Sequence, residues 1–265
     1  MKKFMKIILS LIMTVSLAGC SSSDNNSADK DQLARIKAAG KIVIATEGDW
    51  APWTYHEDSG TLTGMDVELG RLIAEKLGVE AVFEETDFTS ILAGVDSTRF
   101  DIACNGVGYT DERALKYNFS DPYIYTSKVL IVRESNTDIH SFADLAGKTT
   151  ANSIGSTYAK IAEDNGATVV TADKFADTIS LLIDGRVDAT INSKMTFNDY
   201  MAAHPNEAIK YVDQTYGDRV CIPIRQGEDS QSLHDAINDI LKELRDNGTL
   251  SQLSLKFFGA DYTNE

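Results

Sequence analysis

Apolar positions along this chain follow two rhythms that alternate for most of its length. Short continuous apolar runs at 41–45, 81–83, 100–104, 128–133, 149–152, 169–170, 187–191, 209–212 and 220–224 predict buried strands. Between them apolar residues recur every three or four positions and predict helices. These are 33–37, then 64–77 with the stripe Met65, Leu69, Leu72, Ile73 and Leu77, and a helix opened by Phe88 with Ile91, Leu92 and Val95. Further helices are expected at 141–148, 158–165, 176–183, 196–203, 233–244 and 250–257, and residues 55–63 predict a hairpin around Asp58-Ser59-Gly60. Strand, helix and strand in succession imply parallel α/β sheets, with any ligand at the carboxyl ends of the strands.

The first residues break this pattern. Lys2, Lys3 and Lys6 precede an apolar stretch, 7–18, too short for the about 20 residues that span a bilayer. Leu17-Ala18-Gly19-Cys20 follows and looks like a bacterial lipoprotein signal, with 1–19 removed and Cys20 lipidated. Residues 20–32 begin as a Ser/Asn/Asp-rich stretch and are expected to be a flexible tether. The mature chain is then expected outside the cytoplasm, held at the cell membrane by its lipid.

Charge removes one class of partner. The formal net charge is −15, and loss of 1–19 takes away three lysines and no acids, leaving −18. Nucleic-acid binding, which needs clustered Lys and Arg, is not expected. Cys20, Cys104 and Cys221 form no CxxC pair, and His56, His140, His204 and His234 have no i, i+4 partner. No metal site and no cofactor are expected. Cys104 and Cys221 as a disulfide, or as separate buried thiols, both remain open. P-loop, G-x-S-x-G, HExxH and dinucleotide fingerprints do not occur.

Candidate chemistry gathers in three places. Asn105-Gly106-Val107-Gly108-Tyr109-Thr110-Asp111-Glu112-Arg113 joins a strand, a glycine turn, a capped helix start and an arginine in its first turn. Arg113 fits a ligand carboxylate and fits a surface acid equally well. Both tryptophans, Trp50 and Trp53, lie in one turn-prone segment after Glu47, as a binding wall or as packing for the next strand. A second glycine turn, Gly155-Ser156-Thr157, opens another helix, with Ser153 beside it.

With these residues in hand, the chain resembles the extracytoplasmic solute-binding proteins of polar amino-acid ABC transporters (bacterial solute-binding protein family 3). The likeness runs over 33–259. It is carried by Ala45-Thr46-Glu47-Gly48-Asp49-Trp50-Ala51-Pro52-Trp53, Leu62-Thr63-Gly64-Met65-Asp66-Val67, Thr110-Asp111-Glu112-Arg113 and Phe119-Ser120-Asp121-Pro122-Tyr123, and then by Gly155-Ser156-Thr157, Gly185-Arg186-Val187-Asp188-Ala189 and Asp246-Asn247-Gly248-Thr249-Leu250. The resemblance implies a two-lobed, periplasmic-binding-protein-like fold of type II, each lobe a mixed, mainly parallel sheet flanked by helices. Lobe 1 would be 33–126 and 222–265, lobe 2 would be 127–221, and two crossing strands would join them. It implies a monomer that closes on an amino acid and delivers it to an ABC permease.

The resemblance also assigns residues. Arg113, Gly108, Ser156 and Thr157 would hold the ligand carboxylate, and the Gly106 carbonyl its ammonium. Trp50, Trp53 and Phe88 would line the side-chain pocket, and Glu47, Asn105 and Ser153 complete the candidate set. One departure stands out: many relatives place an ammonium-binding Asp where this chain has Ser193, which brings no charge. Either Glu47 supplies the missing charge, or the ligand is not a standard α-amino acid. Glu47 and the Asn105 stretch lean towards the cystine-type branch. An enzyme of the dehydratase type on the same fold and a ligand-sensing domain are the alternative readings.

Overall fold

The computed structural model describes residues 31–265. The predicted signal, Cys20 and all but the end of the tether lie outside the described residues. Asp31 and Gln32, expected in the tether, belong to the folded part. The Asp31 side chain accepts from Ala34 N at 2.7 Å and caps the helix Gln32–Ala39, and Gln32 is buried.

Two five-stranded sheets form the two halves of the protein. The first has the order Glu80–Glu85, Lys41–Thr46, Ile102–Ala103, Pro223–Arg225, Tyr117–Phe119. Its first three strands are parallel, and Pro223–Arg225 runs antiparallel to both neighbours. The second has the order Thr168–Thr171, Thr149–Asn152, Ala189–Ser193, Lys128–Arg133, Ile209–Gln214, again with three parallel strands and an antiparallel remainder. Strand–helix–strand units dictate the parallel part. The strand reversed against both neighbours in each sheet, Pro223–Arg225 or Lys128–Arg133, is the one that enters it after the chain has crossed from the other half. The crossings are Ile124–Thr126 and Asp218–Val220, which pair antiparallel with each other.

Helices cover the sheets through one apolar face each. Met65–Leu77 buries Met65, Val67, Leu69 and Ile73, and ends at Gly78 with φ +75°. Burying a leucine or isoleucine contributes about 1.5–3 kcal/mol, so this stripe fixes how the helix sits on the first sheet. Gln231–Asp246 does the same with Leu233, Ile237, Ile240, Leu241 and Leu244. Among the described residues no helix is long and apolar enough to cross a membrane. Cys104 and Cys221 are buried free thiols.

Three local expectations change. The run 220–224 is two strands, Asp218–Val220 in the crossing ribbon and Pro223–Arg225 in the first sheet, because it must leave one pairing partner and join another. The run 100–104 pairs only at Ile102–Ala103. The helix capped by Thr110 is a single turn, Asp111–Ala114, so Arg113 owes little to a helix dipole.

Candidate functional site

The carboxyl ends of the strands in both sheets face one another across a cleft whose empty space, its open mouth included, is about 520 Å³. Its wall from the first half includes Glu47, Trp50, Phe88, Gly106, Gly108 and Arg113. The opposite wall includes Asn152, Ser153, Ser156, Thr157, Tyr158, Asp173, Phe175, Thr178 and Asn192. The halves touch across it. Trp50 Nε1 donates to Asn192 Oδ1 at 3.3 Å, Trp53 Nε1 to Ser193 Oγ at 3.2 Å and Arg113 Nη2 to the Gly155 carbonyl at 3.0 Å, while Lys174 pairs with Asp49 at 3.1 Å.

Arg113 forms the positive pole. Nη1 donates to the Gly108 carbonyl at 2.8 Å, and the guanidinium lies 5.4 Å from the Phe88 ring centre. Among the described residues no carboxylate lies within ion-pair distance of it. Burial disfavours its charge and lowers its pKa. A Cβ built on Gly108 would lie 3.8 Å from Thr157 Oγ1, so the Gly108 backbone and the start of helix Thr157–Asp164 converge from opposite sides. Ser156 caps that helix, accepting from Ala159 N at 3.1 Å, and the first helical N–H groups have no acceptor within the helix.

Glu47 forms the negative pole. Asn105 holds it at both ends: Nδ2 donates to Glu47 Oε2 at 2.7 Å, and Oδ1 accepts from Glu47 N at 2.8 Å. Burial pushes its carboxyl up to about 7. The Asn105 bond opposes that rise, and Asp49, Asp173 and Asp87 reinforce it. It has no ion-pair partner among the described residues. Across the cleft Asn152 is 2% exposed, its Nδ2 donates to the Ile191 carbonyl at 2.7 Å, and its Oδ1 is buried without a partner. An acceptor left in that state calls for a donor.

Three expected residues are placed behind the wall instead of on it. Trp53 is 1% exposed and stacks under Trp50 with ring centres 5.5 Å apart, because its indole fills the space between the Trp50 ring and Phe258. Asn105 is 1% exposed, since both ends of its amide are spent on Glu47. Ser193 is also buried. Its hydroxyl caps Lys194–Ala203 through Thr196 N at 3.1 Å and takes the Trp53 indole N–H. Trp53 and Ser193 border a smaller space by the crossing strands that shares Gly106, Gly108, Thr157 and Tyr158 with the cleft. Asn152, Tyr158, Asp173, Phe175, Thr178 and Asn192 were not expected. Asn152 and Asn192 carry a readable signal, being polar residues near the carboxyl ends of buried strands.

Gly106 is what lets the wall close up. Its φ is +57°, and a Cβ there would lie 2.6 Å from Trp50 Cζ3.

Residues 42–260 match the model of the bacterial extracellular solute-binding proteins, family 3. The chain is 39% identical over 265 residues to the L-cystine-binding protein TcyA of Bacillus subtilis, covering 97% of this chain and 98% of that one. It is 37% identical over 255 residues to a probable amino-acid ABC transporter-binding protein of Haemophilus influenzae, covering 96% and 98%. Among solved structures, an ancestral arginine-binding protein bound to glutamine superposes with a TM-score of 0.77 at 31% identity, covering 83% of this chain and 98% of that one. The chain belongs to the family 3 solute-binding proteins.

Proposed function

We propose that this family 3 solute-binding protein captures an amino acid between its lobes outside the cytoplasm and delivers it to an ABC importer. The observation that carries the reading is Arg113: a guanidinium in the cleft, held by carbonyls from both halves and unopposed by any carboxylate of the described residues. A ligand carboxylate supplies the missing anion, with donors from Gly108 N and the start of helix Thr157–Asp164. Closure brings both sets of donors onto one anion, so ligand and closed state stabilise each other.

Glu47 supplies the negative charge of the site. Its carboxylate, with Asn152 Oδ1, faces an amino group of the ligand, while the Gly106 carbonyl serves the ammonium beside the carboxylate. Asp49, Asp87 and Asp173 all act on Glu47, so this end disfavours a ligand with a distal carboxylate alone and suits one with a second amino group. Cystine has that form, in keeping with the relative TcyA. We place the lobes at 33–126 with 222–265 and at 127–221, in a monomer, with Cys20 as the lipid anchor. Loss of palmitate labelling in Cys20→Ala checks the anchor.

A thermal-shift and calorimetric screen of the amino acids and cystine tests the proposal, since ligand binding to the folded state raises apparent stability. No response from any of them sinks it. A buried carboxyl near 7 also suits a proton donor, so a dehydratase is the second reading. Turnover of a cyclohexadienyl-type acid by the purified protein supports that reading against simple binding.

A further inference from the structure

Asp66 does not line the cleft, yet three pieces of the site meet at it. It is fully buried in the first turn of helix Met65–Leu77 and has no cationic partner among the described residues. Its Oδ2 accepts from Gly106 N. Both of its oxygens accept from the Tyr123 hydroxyl, at 2.9 and 2.8 Å. Its own N–H donates to the Trp53 carbonyl at 3.0 Å. Tyr123, itself buried, precedes the crossing strand Ile124–Thr126, and its N–H donates to the carbonyl of Val220 on the other crossing. Asp66 thus fastens the Gly106 loop, through its carboxylate, and the tryptophan loop, through its backbone N–H, to the joint between the lobes.

The arrangement is costly for a residue that only packs. A carboxylate taken out of water needs strong partners, and this one is served by an N–H and an O–H with no counter-charge. Burial pushes its carboxyl up to about 7 despite both bonds. The Gly106 N–H it holds belongs to the residue whose φ of +57° brings backbone against the Trp50 ring. Release of that N–H frees Gly106, whose carbonyl, in the next peptide unit, faces the ligand.

We infer that Asp66, braced by Tyr123, is a positioning residue: by holding the Gly106 N–H it fixes Gly106 for the ligand and links that residue to the crossing strands. The inference rests on the receptor reading above. Its test uses the full chain without its signal, as wild type, Asp66→Asn, Tyr123→Phe and a control, Leu244→Ala, which removes core packing far from the cleft. Amide exchange at Gly106 is followed by NMR, and affinity by calorimetry with L-cystine and L-arginine as probes, well below each melting temperature.

Gly106 exchange at least tenfold faster in Asp66→Asn, with a tenfold or greater loss of affinity, is the expected result. Tyr123→Phe should show the same pair of changes at smaller size, and it carries the test if Asp66→Asn does not fold. Leu244→Ala should lose stability and keep wild-type affinity. Unchanged Gly106 exchange in both variants overturns the inference, as does faster exchange with wild-type affinity or an equal affinity loss in the control. Wild-type protein that binds neither these probes nor any other amino acid removes the receptor reading, and this inference with it. Binding that is unchanged in both variants removes this inference alone.

Discussion

The two walls of the cleft are built by different means. On the first lobe a network of buried side chains sets Glu47 and Gly106: Asn105 grips Glu47 at both ends, Thr54 Oγ1 takes Thr46 Oγ1 at 2.6 Å and Gly48 N at 2.9 Å, and Asp66 holds Gly106. On the second lobe the groups come from strand ends and helix starts whose caps are local, Ser156 to Ala159 and Ser193 to Thr196, and Asn152 keeps an acceptor without a partner. On the first wall Glu47 and Gly106 are thus oriented by their own lobe, while on the second wall Asn152 keeps an acceptor free. Ligand should therefore dock on the first lobe and recruit the second.

That contrast can be broken at Arg113 with the largest effect. Arg113→Ala removes two or more charged hydrogen bonds to the ligand, each about 1.5–3 kcal/mol, and should lower affinity about a hundredfold or more with the fold intact. Calorimetry with the cognate amino acid checks this, and wild-type affinity in the variant removes the carboxylate role. Next is Gly106→Ala. Left-handed backbone costs a side chain about 1–2 kcal/mol, and the added Cβ overlaps the Trp50 ring, so a tenfold or greater loss is expected.

Glu47 sharpens the comparison through pH. With its carboxyl near 7, a ligand amine meets the charged form only after the proton leaves. Affinity should rise about tenfold per pH unit up to about 7 and then level off, and Glu47→Gln should bind weakly and flatten the profile. The same shift acts on the empty protein with the opposite sign. Glu47 and Asp66 keep in the folded state protons that the unfolded chain loses near the ordinary values of 4.5 and 3.8. Stability of the empty protein should then fall as pH rises from about 4 to 7, and added ligand should restore more at pH 8 than at pH 6. Melting curves at both pH values, with and without ligand, read this directly.

On the second lobe the effects should be smaller. Asn152→Ala removes an acceptor that one ligand amine can use and should cost about 1 kcal/mol, some fivefold in affinity. A loss as large as that of Arg113→Ala would reverse the order of the two walls.

Most of the fold was legible because its elements are long or strongly periodic. The stripe from Met65 to Leu77 and the run 128–133 appear almost as expected. What was hidden is pairing that depends on where the chain crosses: nothing in Val220-Cys221-Ile222-Pro223-Ile224 says that it changes partners midway. The poles of the site were legible for the same local reasons, since Arg113 and Glu47 each follow a strand and a turn. The residues behind them were not. Trp53, Asn105 and Ser193 look like ligand contacts in sequence because polar and aromatic residues at strand ends are what a site needs. Only tertiary packing shows their hydrogen bonds already taken, that of Trp53 by Ser193, those of Asn105 by Glu47 and those of Ser193 by Trp53 and a helix start. Asp173 and Tyr158 reach the cleft through the angle between lobes, which sequence periodicity does not encode.

The chain has only two tryptophans, and both indole N–H groups donate across the seam between the lobes. Their rings stack at 5.5 Å with 18° between planes. Every indole chromophore of the molecule therefore sits at the gap, and no distant tryptophan contributes a constant background. Opening would break both hydrogen bonds and let water reach Trp50, shifting emission to longer wavelength. Closing would restore the blue-shifted emission, and the stacked pair should add an exciton couplet to the near-ultraviolet circular dichroism. The protein thus carries its own unlabelled optical gauge of how far it is shut.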